Sequence, residues 1–161
     1  SHLNDFPHVI ILRTLSKSYA LAGVRIGVIL SAQTDLIETI KTKIMEVYPI
    51  PAPCVDAAMI AISDENLTPA KTNIQKLIDE RKRMEDFLSK QDFVESVYKS
   101  DTNFLLVQMN NAHEFCKFAA SKNVILRDFS KSPMTENCLR ISIGTPDQND
   151  LVMGLMKDFY G

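Results

Sequence analysis

Short apolar runs separated by polar stretches organise the first third of the chain. Residues 9–12 and 26–30 are apolar and rich in β-branched side chains, which predicts two strands buried on both faces, as in a parallel sheet. Apolar residues then recur at helical spacing from Leu36 to Met45. We expect a helix there, capped by Thr34 and stopped by Pro49.

The middle of the chain reads as a connector followed by helices. Three of the seven prolines fall within residues 48–53, which predicts a stiff segment. Residues 55–62 are apolar on most sides and predict a buried helix. Thr68 and Pro69 have the form of a helix start, and helical spacing continues from there almost to residue 90. Such a helix, about 30 Å long, would be long enough to bridge two domains.

The last part alternates strands and helices. Residues 94–99 and 103–109 predict a hairpin, and residues 124–126 and 139–143 predict two further strands. Asn111 and Glu114 resemble a capping box for one helix. A final helix begins at Thr145 and has Leu151, Val152, Leu155, Met156 and Phe159 on one face.

Composition narrows the possible classes of partner. Lys and Arg number 18 against 20 Asp and Glu, and Trp is absent, so the chain has neither the charge nor the stacking platforms of a nucleic-acid binder. No apolar run approaches the ~20 residues that span a bilayer. The three histidines are too scattered to predict a metal site. The cysteines contain no CxxC pair and predict small buried side chains in a reducing, cytoplasmic compartment: Cys54, Cys116 and Cys138.

Candidate chemistry is concentrated in the loop after the first strand. Lys17 stands there between two serines, where a lysine can form an imine with a carbonyl cofactor. The hydroxyls of Thr14, Ser16 and Ser18, together with Arg25, are groups that coordinate a phosphate. The alternative is a solvated loop lysine close to an ordinary arginine.

The order of residues in this loop favours the first interpretation. Residues 14–27, TLSKSYALAGVRIG, resemble the lysine segment of the fold-type-I pyridoxal-phosphate aminotransferases, in which Ser-Lys precedes Leu-Ala-Gly, Arg and Gly at these offsets. The resemblance implies that Lys17 forms the imine with pyridoxal 5′-phosphate. It also implies that Ser16 and Arg25 hold the cofactor phosphate, with Thr14 as a further candidate.

Other segments resemble one branch of these enzymes, the histidinol-phosphate aminotransferases. They occur in the same order as in that branch: Tyr48-Pro49 with Pro53, residues 101–104, residues 125–128 and residues 138–145. The resemblance implies amino transfer between glutamate and imidazole-acetol phosphate, giving histidinol phosphate and 2-oxoglutarate in histidine biosynthesis. Arg140 would then bind the α-carboxylate of glutamate, and Arg127 the phosphate end of histidinol phosphate.

Strand alternation gives separate support for Arg140. Leu139 and Ile141 share one face of the predicted strand, so Arg140 points to the other, and its planar fork suits a carboxylate or phosphate. For each arginine the alternative is a salt bridge at the rim, for Arg127 with the neighbouring Asp128.

The resemblance also implies a fold. We expect an α/β architecture, with residues 1–62 as the end of a large cofactor domain and residues 63–161 as a small α+β domain. Complete enzymes of this family are longer, and their N-terminal half supplies the aromatic that stacks on the cofactor ring and the aspartate that pairs with its nitrogen. The chain is therefore interpreted as a C-terminal half, inactive alone, of a cytoplasmic homodimer.

Two other functions stay open at this point. One keeps the cofactor and changes the reaction, as in the related threonine-phosphate decarboxylases or another aminotransferase of the family. The other is an inert domain fragment that self-associates through apolar surface at residues 9–12 and 26–30.

Overall fold

A computed structural model describes residues 2–47 and 49–161, so Tyr48 of the resembling Tyr-Pro segment lies outside the described residues. The chain divides into two compact units, one ending at Thr72 and the other running from Asn73 to Gly161. The sequence placed its domain boundary ten residues earlier, after residue 62. The structural division falls within a helix, and each unit is described below by itself.

The first unit is built around a two-stranded ribbon. Its elements, in order, are helix α1 (His2–Asp5), strand β1 (Ile10–Thr14), a 3₁₀ turn (Ala22–Val24), strand β2 (Gly27–Ser31), helix α2 (Thr34–Thr39), a π-helical turn (Ile40–Ile44) and helix α3 (Ala52–Ala61). Strands β1 and β2 pair antiparallel, with Thr14 opposite Gly27. Both strands were predicted, but the expected parallel arrangement is wrong for this pair.

The apolar side chains of the ribbon are exposed on both of its faces. Leu12 is 72% exposed, and neighbouring positions on both strands are all more than one-third exposed. Helix α3 likewise buries Ala58 and leaves Met59 and Ile60 exposed. The prediction of buried strands and a buried helix is therefore wrong for this chain, because no described element covers these surfaces. The exposed apolar surface that was expected for a domain fragment is present at residues 10–12 and 28–30.

Two helix starts differ from the predictions. Thr34 is the first residue of α2 and Gln33 is its N-cap, without a side-chain capping bond. Helix α4 (Asp64–Leu88) begins before Thr68 and contains Pro69 in its interior. Asp64 and Glu65 in the first turn of α4 complement the helix dipole and favour the earlier start, while Pro69 costs one backbone hydrogen bond.

The second unit is a four-stranded antiparallel sheet covered by helices on one face. The sheet order is β3 (Val94–Val97), β4 (Phe104–Met109), β6 (Cys138–Ser142) and β5 (Arg127–Asp128). Alternate residues of the two central strands, Leu105, Val107, Leu139 and Ile141 among them, are fully buried against α5 (Ala112–Ser121), α6 (Pro146–Tyr160) and the end of α4. The predicted β3–β4 hairpin and strand β6 are confirmed.

Three local predictions in this unit are corrected. Residues 124–126 are not a strand. The next two residues, Arg127 and Asp128, form the ladder with β6. Asn111 adopts a left-handed conformation at φ 52° and makes no side-chain cap, so the capping box expected there is absent. A capping box does form at α6, between Thr145 and Gln148. In α6 the buried face includes Met153, whereas Leu151 is 51% exposed.

Two charged side chains of α4, Glu80 and Arg83, belong to a polar network. Arg83 lies 2.7 Å from Glu80 Oε2 and 2.6 Å from Asp150 Oδ1. Asn149, 2% exposed, donates to Glu80 at 2.8 Å and accepts from the Gly144 backbone N–H at 3.0 Å. Hydrogen bonds from Arg83 and Asn149 lower the pKa of Glu80. The network ties α4 to the segment that follows β6.

Candidate functional site

The loop between β1 and β2 holds the candidate lysine in a closed turn. Leu21 N–H donates to the Leu15 carbonyl at 3.3 Å, and Leu15 N–H donates to the Ile26 carbonyl at 3.5 Å. Within that ring, Ala20 N–H donates to the Lys17 carbonyl at 3.2 Å, and Ala20 has a positive φ of 55°. The backbone around Lys17 is thereby fixed by hydrogen bonds of the chain itself.

Lys17 is exposed. No described residue forms an ion pair or hydrogen bond with its amine. This exposure agrees with a solvated loop lysine and equally with an amine that a ligand can reach.

The two hydroxyls before Lys17 are linked. Thr14 Oγ1 donates to Ser16 Oγ at 2.8 Å and accepts the Ser16 backbone N–H at 3.1 Å. Because Ser16 Oγ accepts this bond, its own proton remains available to a further acceptor. A phosphate oxygen is such an acceptor.

Arg25 stands at the other end of the same loop. It adopts the left-handed conformation at φ 60°, and its Nη1 donates to the Ala22 carbonyl at 3.0 Å. That bond uses one of the five N–H donors of the guanidinium, which leaves the others available for an anion. Thr14, Ser16, Lys17 and Arg25 therefore lie in one segment at a single end of the β1–β2 ribbon, because Thr14 ends β1 opposite Gly27, the first residue of β2.

These residues fit pyridoxal phosphate as a donor set. A free hydroxyl proton and the unused guanidinium donors suit a phosphate, and an exposed amine suits an aldehyde. Two properties of this segment produce the fit: its hydroxyl, guanidinium and amine groups, and the backbone hydrogen bonds that close the loop.

The second pair of candidates lies in the other unit. Arg127 of β5 and Arg140 of β6 are direct partners across the antiparallel ladder, so their side chains leave the same face of the sheet. This face is opposite the helices, since Leu139 and Ile141 on either side of Arg140 are buried in the core. The two arginines line an open cavity of about 390 Å³ with Ile125, Leu126, Asp128 and Ser142.

Both guanidinium groups lie over aromatic rings. Arg140 Cζ is 5.0 Å from the centre of the Phe104 ring, and Arg127 Cζ is 5.5 Å from that of Phe129. Arg140 Nε is buried and has no hydrogen-bond partner in the part of the chain that the structure describes. A buried N–H without an acceptor is costly to the folded state.

Asp128 does not neutralise Arg127. Its Oδ2 lies 2.6 Å from His113 Nδ1 of α5, and its Oδ1 accepts the Ser130 backbone N–H at 2.8 Å. Contacts with Ser130, and after them with His113, lower the pKa of Asp128 to about 2. The expected alternative, a rim salt bridge between Arg127 and Asp128, is therefore not formed.

Sequence reasoning missed three side chains of this region. Phe104 lies in a segment used for the resemblance, but nothing in the segment marks its ring as a platform for Arg140. Phe129 and His113 were likewise unassigned. Strand alternation would have placed Phe104 on the face of Arg140 once the β4–β6 register was known, whereas the contact between His113 and Asp128 follows from helix packing.

The cysteine thiols are buried or half-buried, and the described residues form no metal-binding cluster. Burial, and then the charge of Asp128, raise the pKa of Cys116 to about 11, so its thiol is protonated at neutral pH. Cys138 is buried, and Cys54 and Cys116 are half-buried. Among residues 2–47 and 49–161, no three His, Cys, Asp or Glu side chains gather as a metal site. Nor is any helix in these ranges long and apolar enough to cross a membrane.

With this geometry in place, comparison with known proteins assigns the family. Residues 1–154 match the model of the aminotransferase class I and II family, and the chain belongs to that family. It is 38% identical over 157 residues to histidinol-phosphate aminotransferase 1 of Pasteurella multocida, covering 98% of this chain and 44% of that protein. The chain thus spans less than half the length of the curated relatives it matches.

Solved structures agree on the fold. Histidinol-phosphate aminotransferase from Sinorhizobium meliloti, solved in complex with pyridoxal-5′-phosphate, matches with a TM-score of 0.73 at 26% identity, over 96% of this chain and 43% of that one. L-threonine-O-3-phosphate decarboxylase from Porphyromonas gingivalis matches with the same TM-score at 24% identity, over 95% and 47%. The predicted mixed α/β architecture, as part of a fold-type-I enzyme, is confirmed.

Proposed function

We propose that this chain is the C-terminal part of a pyridoxal-phosphate-dependent aminotransferase that exchanges an amino group between glutamate and imidazole-acetol phosphate. The observation that carries the proposal is the pair of facing arginines, Arg127 and Arg140, which share one open cavity. Asp128 also lines this cavity, but its carboxylate is engaged by His113 and Ser130. Glutamate and a phosphate-bearing amine are both anionic, as such a cavity requires. The names of the curated relatives support this choice of substrates.

The cofactor-binding residues and the substrate-binding arginines belong to different units of the chain. The segment with Lys17 belongs to the end of a large cofactor domain, for which we keep the predicted range 1–62. The arginine pair belongs to a small domain, residues 63–161. The resemblance to the family supports both assignments, and it also supports a cytoplasmic homodimer.

Pyridoxal phosphate, when bound, supplies an aldehyde that reacts with amines and a ring that withdraws electrons from the substrate. Ser16, Arg25 and Thr14 would hold its phosphate: Ser16 offers a free hydroxyl proton and Arg25 unused N–H donors, while Thr14 orients Ser16. Lys17 would be the residue that binds the aldehyde carbon.

The same lysine moves the proton in the reaction. Lys17 Nζ would take the proton from the substrate Cα as the base, and it would return a proton to the bound cofactor as the acid. Arg140 would bind the α-carboxylate of glutamate. Arg127 binds the distal phosphate and selects the second substrate by length and charge.

The test uses the full-length protein, meaning this chain preceded by the N-terminal segment that its relatives have. We expect it to convert glutamate and imidazole-acetol phosphate to 2-oxoglutarate and histidinol phosphate, and Lys17→Ala to abolish the conversion. Lys41→Ala, which alters an exposed lysine of the same unit, is the matched control and keeps full activity. Release of carbon dioxide from threonine phosphate in place of transamination would overturn the proposal in favour of a decarboxylase.

A further inference from the structure

Strand β5, which carries Arg127, is held weakly by its own ladder. It has two residues and lies at the edge of the sheet, with β6 as its sole strand partner. Beyond it, the Phe129 backbone N–H donates to the Cys138 carbonyl at 3.0 Å. Such a short edge strand needs other contacts to keep one position.

The two residues of β5 point to opposite faces of the sheet. Arg127, paired with Arg140, faces the open cavity, whereas Asp128, paired with the buried Leu139, faces helix α5. Asp128 is thus the side chain that attaches the strand to the body of the unit. Both of its carboxylate oxygens are engaged, one by His113 and one by the Ser130 N–H.

The partner of Asp128 is rigidly placed. His113 is the second residue of α5, and its neighbours Ala112 and Phe115 are fully buried in the core. Because Asp128 is ionised at neutral pH, it accepts, and His113 Nδ1 must be the donor. The carboxylate also lies close to the N-terminal turn of α5, where a negative charge is favoured.

Arg127 itself has little else to fix it. Arg127 forms no ion pair with the described residues. Its guanidinium lies over the ring of Phe129, two residues along the chain. The position of its guanidinium therefore follows the position of the β5 backbone.

We propose that His113 is a positioning residue: by holding Asp128, it fixes β5 so that Arg127 presents its guanidinium to the distal anionic group of the substrate. The inference rests on the proposed function for the identity of that substrate. It does not rest on it for the anion itself, because Arg127 and Arg140 face one cavity whatever the reaction.

Kinetics of the full-length enzyme test the positioning role. We expect His113→Ala to raise KM for imidazole-acetol phosphate about tenfold, with KM for glutamate and kcat within about twofold of the wild type. His113→Asn places an amide donor where Nδ1 stands and restores most of the affinity. His8→Ala, at a histidine of the other unit, is the matched control and changes neither KM. Equal increases in both KM values, or no increase, would overturn the inference.

A measurement without turnover separates this inference from the proposed function. In the ¹⁵N-labelled protein, inorganic phosphate is titrated while the Arg127 Nε–H resonance is followed by NMR. We expect His113→Ala to require about tenfold more phosphate for half of the shift, and His113→Asn to behave as the wild type. An unchanged midpoint in His113→Ala would refute the positioning role even if the enzyme transaminates. A wild-type resonance that does not respond to phosphate would refute Arg127 as an anion ligand, and the inference with it.

Discussion

Arg127 and Arg140 are direct partners across two antiparallel strands, so two like charges face each other on the open side of the sheet. Like charges at such positions destabilise a sheet. Here neither charge is neutralised by the nearest acid, since Asp128 faces the other side and binds His113. We expect the pair to lower the stability of the chain, and the anionic ligand proposed above would offset this cost when bound.

Replacement of Arg140 should therefore separate stability from binding. We expect Arg140→Met to raise the free energy of unfolding by about 1 kcal/mol, because it removes a facing charge and a buried Nε without a partner. The same variant should raise KM for glutamate about a hundredfold. Urea denaturation of the chain measures the first effect, with Arg13→Met, on an exposed strand, as control. A loss of stability of 1 kcal/mol or more would mean that Arg140 serves the fold.

The exposed ribbon predicts self-association of this chain in isolation. Leu12 of strand β1 is 72% exposed, and most of the apolar side chains of β1 and β2 are exposed as well. Contiguous apolar surface of this kind drives association. We expect Leu12→Glu to shift the chain toward the monomer in sedimentation velocity. Met134→Glu, at an even more exposed side chain in the other unit, should leave the distribution unchanged. Equal effects of the two substitutions would contradict a role of the ribbon.

The buried amide of Asn149 predicts a local stability requirement. Asn149→Ala leaves the Gly144 N–H without its acceptor and Glu80 without one of its donors, and both groups are partly buried. We expect a loss of about 2–3 kcal/mol in the free energy of unfolding, measured by urea denaturation. Asn73→Ala, at an exposed position of α4, is the control and should cost less than 0.5 kcal/mol. A loss no larger than that of the control would show that water replaces the amide.

Asp128 predicts an acid dependence of stability. Its pKa falls from an ordinary 3.8 to about 2 in the folded chain, so the unfolded state binds the proton more readily. The stabilisation is present above pH 4 and is lost as the pH falls through 2. We expect the difference in unfolding free energy between wild type and Asp128→Asn to shrink across this range. A constant difference would contradict the assigned pKa.

The sequence predicted the loop between β1 and β2 because the information for this loop is local. Loop closure around Lys17 depends on residues a few positions apart, and the offsets of Ser16, Gly23, Arg25 and Gly27 describe a turn. The same is true of the β3–β4 hairpin and of the cap at Thr145. In each case the interacting groups are neighbours along the chain.

Features that depend on register or on covering elements were not predictable. Arg127 and Arg140 face each other because β5 pairs with β6. The apolar run at residues 124–126 predicted a strand that begins three residues before β5. His113 and Asp128 are fifteen residues apart and meet because α5 packs beside β5. The apolar composition of β1 and β2 indicated burial, but burial needs a partner surface that no described element provides.

The central claim is that Lys17 is the residue that joins the cofactor, and covalent labelling tests it most directly. The full-length protein is mixed with pyridoxal phosphate, reduced with borohydride, digested and mapped by mass spectrometry. We expect a pyridoxyl group on Lys17 and none on Lys41 or Lys43. In Lys17→Ala this label should be lost. A label on another lysine that persists in Lys17→Ala, or no label at all, would contradict it.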